Sequence, residues 1–147
     1  MTQELIVKNA VTLQADRNRV WDALTNPEIT KKYMYGCEVV SDWNVGSPVL
    51  WKMDVEGKET VVVQGQVLNV EPQKHLEYTV FDPTMGIEDI PENYLTVTYD
   101  LEEQDGQTLL SVSQGDYSSV AEGEKRYNDT VGAWEYALAG LKKAVEE

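Results

Sequence analysis

The chain has 147 residues, and its 12 lysines and arginines against 26 aspartates and glutamates give a formal net charge of -14. Such a charge repels nucleic acid and anionic lipid headgroups, so neither is an expected partner. The single cysteine excludes an internal disulfide, and MTQELIVKNA lacks the apolar core of a signal peptide. No apolar run approaches the roughly 20 residues that span a bilayer. We therefore expect a cytoplasmic protein without membrane insertion, folded as one domain over residues 1–147.

The first predicted elements are one strand and two short helices. Apolar residues alternate between Leu5 and Leu13, which predicts the strand. Asp16 then has the position of a helix N-cap, and Asn26 has the same position before a second helix. Pro27 suits the first turn of that second helix, where its missing N–H costs no hydrogen bond. The sequence therefore predicts a helix, a corner and a new helix.

The middle of the chain has the sequence pattern of an antiparallel sheet. Short alternating runs, separated by turn residues, occur at roughly 36–41, 48–55, 60–70, 75–81, 94–102 and 108–114. In each run one parity is apolar and is predicted to face the core, whereas the other carries charged and hydroxyl side chains. These six runs predict a meander, and the first strand brings the predicted sheet to about seven strands.

A long helix is predicted at the end of the chain. Apolar residues recur there at steps of 4, 3, 4, 3 and 4, at Tyr127, Val131, Trp134, Leu138, Leu141 and Val145. A coiled coil is the alternative, but a sheet with an uncovered apolar face favours packing of the helix on that sheet. Gly132 and Gly140 lie off the stripe. Each either permits close backbone approach or is tolerated at a cost of roughly 1 kcal/mol in helix propensity.

Four segments in this order carry a resemblance to a known family: VWDALTNPEITKKYM, DWNVGSPVLWK, GQVLNVEPQKHLEYTV and GAWEYALAGLKKAV. The chain resembles the helix-grip proteins of the START and birch-pollen-allergen (SRPBCC) superfamily. It is most similar to the branch of activator of heat shock protein 90 ATPase homologue-like proteins. The resemblance implies an α+β fold in which a curved antiparallel sheet wraps around the C-terminal helix, and in which the two short helices form a V.

The resemblance also implies a cavity between the sheet and the long helix. The side chains predicted to point inward include large, soft and amphipathic groups, which suit a flat apolar ligand. The predicted ligand-binding residues are Trp51, Met53, Tyr78, Tyr99, Tyr127 and Trp134. The alternative is that these side chains fill the interior and leave no cavity.

One predicted loop is unusually long. Residues 82–93, DPTMGIEDIPEN, join two strands that two residues could connect. Met85, Gly86 and Ile87 are the candidates for a mobile lid over the open end of the groove, and the alternative is a solvated acidic insertion. The carboxylates of this loop lack the order of a calcium-binding loop, so no metal site is predicted.

The sequence contains no short catalytic motif. A phosphate-binding glycine loop, C-x-x-C, H-E-x-x-H and G-x-S-x-G are all absent, so catalytic residues stay unassigned and no cofactor is expected. His75 is expected at the surface and Cys37 as an inert thiol. If the protein is an enzyme, cavity tyrosines, carboxylates and Asn69 or Gln114 would act as acid, base or orienting groups.

The residues and what the resemblance implies together leave three functions open. The first is binding of a small hydrophobic molecule, and the second is a polyketide cyclase or aromatase activity, as in relatives of this superfamily. The third is interaction with the heat shock protein 90 chaperone, which transfers poorly because the namesake has two domains. Lys31 and Lys32, beside Tyr33, are the candidate patch for a protein partner, with an ordinary solvated helix face as the alternative. The first strand is expected at an edge of the sheet, where a second copy of the chain could pair with it to form a homodimer.

Overall fold

A computed structural model describes residues 5–83, 86–120 and 123–146, with only the backbone of Ser119. The strands are β1 (Val7–Leu13), β2 (Glu38–Val40), β3 (Pro48–Val55), β4 (Lys58–Glu71), β5 (His75–Val80), β6 (Leu95–Gln104) and β7 (Gln107–Gly115). The helices are α1 (Arg17–Thr25), α2 (Pro27–Tyr33) and α3 (Gly123–Glu146). Two single 3-10 turns lie at Pro91–Asn93 and Tyr117–Ser119.

The seven strands form one antiparallel sheet in the order β1-β7-β6-β5-β4-β3-β2. Strands β2 to β7 therefore follow chain order as a meander, and β1 closes the sheet beside β7, with Val7 opposite Gln114 and Leu13 opposite Thr108. The predicted α+β helix-grip architecture is confirmed: a curved antiparallel sheet of seven strands, two short helices after β1 and a long C-terminal helix.

Local capping produces the corner between α1 and α2. The Asp16 carboxylate accepts a hydrogen bond from the N–H of Arg19 at 2.9 Å. The Asn26 side-chain oxygen accepts one from the N–H of Glu28 at 3.0 Å, immediately before the second helix. Tyr33 then joins the two helices, because its buried hydroxyl donates to the carbonyl of Ala23 at 2.7 Å. The predicted break and restart at Asn26 is confirmed.

The inner face of the sheet follows the predicted parity in β5, β6 and β7. The buried apolar residues there are Leu76, Tyr78, Leu95, Val97, Tyr99, Leu101, Leu110 and Val112. In β4 the pairing register shifts twice, leaving Val62 and Leu68 as extra residues. A bulge inverts the alternation of side chains. The prediction that every second residue of 60–70 forms a single core-facing set is therefore wrong. Val67 and Val70, an odd- and an even-numbered position, both pack toward the core.

Helix α3 packs on the sheet along most of its length. Its buried apolar residues are Trp134, Ala137, Leu138, Leu141 and Val145. The predicted stripe is wrong at Val131, which is 37% exposed. A straight helix repeats every 3.6 residues, so a strict repeat of steps of 3 and 4 drifts away from the buried face. Near its N-terminus the helix instead turns Arg126 and Thr130 toward the sheet.

The two candidate glycines of α3 differ in their surroundings. A Cβ added to Gly140 would lie 2.9 Å from the Cβ of Tyr33 on α2, whereas one added to Gly132 would meet no atom within 4 Å. Gly140 thus permits close approach of the two helices. We expect Gly140→Ala to lower the free energy of unfolding, because an overpacking cost of about 1–3 kcal/mol exceeds the gain in helix propensity. Gly132→Ala should raise it by up to about 1 kcal/mol. Urea unfolding of both variants checks this, and equal stabilisation would contradict the close approach.

Candidate functional site

A cleft with a volume of about 300 Å³ lies between the sheet and the N-terminal half of α3. This volume is at the lower end of the range for small-molecule sites. One wall is apolar and consists of Val63, Val80, Phe81 and Leu95. The other wall is polar and consists of Asp82, Gln114, Tyr117, Arg126, Asp129 and Thr130. The residues that α3 contributes to the cleft wall at this end, Arg126, Asp129 and Thr130, are all polar.

The polar wall contains a buried cation. Arg126 is 6% exposed, and its Nη2 donates to the carbonyl of Asn93 at 3.2 Å. Loss of hydration lowers the pKa of the guanidinium, and the nearby Asp82 carboxylate acts in the opposite direction. Arginine nevertheless stays charged in proteins. The helix is thus joined to the loop before β6 by a charged hydrogen bond at the edge of the cleft.

A chain of hydrogen bonds orders the rest of the polar wall. The indole N–H of Trp134 donates to the Gln114 side-chain oxygen at 2.6 Å. The Tyr117 hydroxyl donates to Thr130 Oγ1 at 2.8 Å. The Thr130 hydroxyl in turn donates to the Arg126 carbonyl at 2.8 Å. Burial raises the pKa of Tyr117, partly offset by hydrogen bonds to Thr130 and Gln114 and by the charge of Arg126. Tyr117 is therefore a neutral hydroxyl at pH 7, held in a fixed position.

Three of the predicted ligand-binding residues form one buried cluster beyond the cleft. The hydroxyls of Tyr78 and Tyr99 lie 3.0 Å apart, and the rings of Tyr99 and Trp134 meet edge-on with centroids 6.0 Å apart. Burial raises the pKa of both tyrosines. The two tyrosines are each 1% exposed and Trp134 7%, so these side chains pack within the core. Trp134 reaches the cleft through its hydrogen bond to Gln114.

The other three predicted residues lie apart from that cluster. Trp51 is buried in β3 at 6% exposure, and Met53 lines a separate pocket of about 360 Å³ beside Lys52 and Glu59. Tyr127 packs edge-on against Tyr117, with ring centroids 5.9 Å apart. None of the six predicted side chains is on the wall of the 300 Å³ cleft. Their role in ligand binding stays a prediction.

Sequence reasoning missed most of the polar wall. It named Gln114, which lines the cleft, and Asn69, which is exposed in β4. It did not name Arg126 or Thr130, although these two residues and Trp134 follow one another at steps of four along α3. Residues four apart share a helix face. That spacing from a buried tryptophan is the signal that would have found them.

The long loop borders the cleft at both of its ends. Asp82 lines the cleft, and Asn93 accepts the hydrogen bond from Arg126. Within the loop, the Asn93 amide donates to the carbonyl of Glu88 at 2.8 Å. Of the proposed lid residues, Gly86 is exposed, Ile87 is half-buried and Met85 lies outside the described residues. The lid function stays a prediction.

Other candidate groups lie away from the cleft. Half-burial raises the pKa of the Cys37 thiol, which disfavours the reactive thiolate. Lys31 is paired with Glu28 at 2.9 Å, and Tyr33 is 4% exposed, so the tyrosine contributes little surface to the predicted partner patch. Over residues 5–83, 86–120 and 123–146, no three His, Cys, Asp or Glu side chains are placed to hold a metal ion. None of the described helices combines the length and hydropathy needed to cross a bilayer.

His75 lies on the outer face of the sheet between two carboxylates. Its Nδ1 is 2.5 Å from Asp100 and its Nε2 is 2.7 Å from Glu77, and the side chain is 19% exposed. The hydrogen bond to Asp100 is the main cause that raises the pKa of His75, with a further contribution from Glu77.

The raised pKa of His75 predicts a pH-dependent contribution to stability. Protonation is favoured in the folded state, so this contribution is fully present below the unfolded pKa near 6.5 and is lost as pH rises through the higher folded pKa. Urea unfolding should therefore show a larger destabilisation by His75→Gln at pH 5.5 than at pH 9. An equal difference in the free energy of unfolding at both pH values would contradict the assignment.

Comparison with known proteins identifies the family. Residues 14–146 match the family described as Activator of Hsp90 ATPase homolog 1-like protein. The solution structure of ChR145 from Cytophaga hutchinsonii has 36% identity and a TM-score of 0.79, with 99% of this chain and 97% of that chain covered. No curated protein matches significantly.

Two more distant structures share the fold. The Aha1 dimer from Colwellia psychrerythraea is 18% identical with a TM-score of 0.71, covering 96% of each chain. DynU16, a protein from the dynemicin biosynthetic locus, is 17% identical with a TM-score of 0.74, covering 98% of this chain and 48% of that chain. The family match spans nearly the whole sequence. ChR145 is similar to this chain in both sequence and structure. The chain therefore belongs to the family of Activator of Hsp90 ATPase homolog 1-like proteins.

Proposed function

We propose that this protein binds a small, largely apolar molecule in the cleft between the sheet and α3. The observation that carries the proposal is a 300 Å³ volume whose two walls differ in chemistry, with the buried Arg126 on one of them. Burial of a charged group is costly unless it is well hydrogen-bonded. The cleft therefore presents an apolar surface and a hydrogen-bonded polar surface to the same small volume.

The two walls have complementary roles in this proposal. Val63 and Val80 are half-buried and present the apolar surface that removes a ligand's rings or methylenes from water, and Phe81 and Leu95, at 1% and 3% exposure, are fixed by packing in the same wall. The polar wall holds the ligand in one orientation through Gln114, Tyr117 and Thr130, whose side chains are already positioned by hydrogen bonds. Pre-positioned groups reduce the entropy lost on binding.

Native mass spectrometry of the purified protein tests the proposal first. A bound apolar molecule should appear as a stoichiometric mass increment that is released on denaturation and extraction. If the protein carries none, we expect saturable binding of 2-naphthol, an apolar two-ring probe with one hydroxyl, in isothermal titration calorimetry. A clean apo mass together with no heat of binding for this probe would contradict the proposed function.

A second candidate function is an enzyme of the polyketide cyclase or aromatase type. One arrangement favours it: the Tyr117 hydroxyl, the Thr130 hydroxyl and the Asp129 carboxylate share the polar wall and could exchange protons with a reactive ligand. DynU16, from a biosynthetic locus, shares this fold. Turnover of a polyketide-like substrate that Tyr117→Phe abolishes while binding persists would support this candidate. Turnover unaffected by Tyr117→Phe would refute this use of the wall.

A further inference from the structure

We propose that the cleft selects a neutral apolar molecule that both donates and accepts hydrogen bonds, and that it rejects carboxylates and phosphates. This inference rests on the proposed function and names the class of its ligand. It follows from the charges on the cleft wall, the fixed orientation of one amide and the size of the volume.

The charges on the wall do not favour an anion. Its formally charged side chains are Arg126, Asp82 and Asp129, so one cationic side chain is present against two acidic ones. The guanidinium is also engaged, because it donates to the Asn93 carbonyl at 3.2 Å while Asp82 shares the same wall. An anionic ligand on this wall would also approach the carboxylates of Asp82 and Asp129. The chain's formal charge of -14 adds to this repulsion.

The surroundings of the cleft do not supply compensating positive charge. The adjacent surface of α3 carries Glu124 and Lys125, whose charges cancel formally. The positive end of a helix acts within its first turn. Here the first turn runs from Gly123 to Arg126, so it contains the carboxylate of Glu124, which offsets the positive end, whereas Asp129 and Thr130 lie beyond it.

The hydrogen-bonding groups of the wall match a hydroxyl. The Gln114 side-chain oxygen accepts the Trp134 indole N–H at 2.6 Å, so the amide nitrogen is the donor that this residue presents elsewhere, including to Tyr117. Asp129 is an acceptor on the same wall. A ligand hydroxyl can pair with either kind of group, since it can accept from the amide and can donate to the carboxylate. A carboxylate ligand can only accept.

Matched probes test this selectivity. At pH 7, 2-naphthol is neutral and 2-naphthoate is an anion on the same ring system. Both are small enough for a cleft of 300 Å³. We expect calorimetric titration to give a Kd for 2-naphthol at least about tenfold lower than for 2-naphthoate, because a nearby unit charge of the same sign produces an effect of this order. Asp129→Asn and Asp82→Asn should each lower the Kd for 2-naphthoate and reduce the preference.

The control separates local charge from net charge. Glu135→Gln changes the net charge by the same amount on an exposed position of α3 away from the cleft, and should leave both Kd values unchanged. Tighter binding of 2-naphthoate than of 2-naphthol would overturn this inference and leave the proposed function standing. Equal effects of Asp129→Asn and Glu135→Gln would also overturn it. Absence of binding for both probes, with a clean apo mass, would overturn the proposed function itself.

Discussion

Replacing Val63 with tryptophan is expected to weaken 2-naphthol binding by at least about tenfold, that is, by about 1.4 kcal/mol or more. Val63 is half-buried on the apolar wall, so the larger indole would extend into the cleft and occupy volume that a ligand needs. The free energy of unfolding should change little, because the added atoms enter open space rather than a packed core. Calorimetric titration and urea unfolding measure the two effects separately.

Val131→Trp is the matched control for this substitution. Val131 is on α3 but is 37% exposed and is not on the cleft wall, so the same change of side chain should leave the affinity for 2-naphthol unchanged. If Val63→Trp binds the probe as tightly as the unmodified protein, the ligand occupies a different site. Loss of binding in both variants would indicate an unspecific effect of the added indole.

The architecture was predictable where structure depends on local chemistry. The corner at Asn26 follows from a capping side chain and a proline, both of which act within one turn of helix. The strands β5 to β7 follow from alternation alone. The bulges at Val62 and Leu68 could not be predicted in the same way, because an extra residue in one strand depends on its partner strand. Where consecutive residues are all apolar, the sequence pattern does not indicate at which residue the pairing register shifts.

The candidate site was less predictable, because a void depends on volumes rather than on patterns. Tyr78 and Tyr99 were correctly placed on the inner face, but their hydroxyls bond to each other at 3.0 Å and their rings fill the core. The cleft wall instead includes Tyr117, which belongs to a single turn without a periodic pattern. It also includes Arg126, whose charge alone predicts exposure. Sequence periodicity identifies faces, and the spaces between faces require coordinates.

Arg126→Met is expected to lower the free energy of unfolding by about 1.5–3 kcal/mol, the usual contribution of a hydrogen bond to a charged group. Methionine keeps much of the apolar stem but has no N–H group. It therefore cannot replace the hydrogen bond that Arg126 Nη2 donates to the Asn93 carbonyl at 3.2 Å. The effect should be concentrated in the loop before β6. Hydrogen exchange of the Asn93 amide, which donates to the Ile90 carbonyl at 2.9 Å, should accelerate more than that of amides in β6.

Lys125→Met distinguishes this specific role from the loss of any positive charge on α3. Lys125 is the exposed neighbour of Arg126, and surface substitutions of this kind usually change stability by less than about 0.5 kcal/mol. If the two variants have equal free energies of unfolding, Arg126 does not hold the loop against the helix. If only Arg126→Met accelerates loop exchange, then the residue on the polar wall also controls the mobility of the segment at the edge of the cleft.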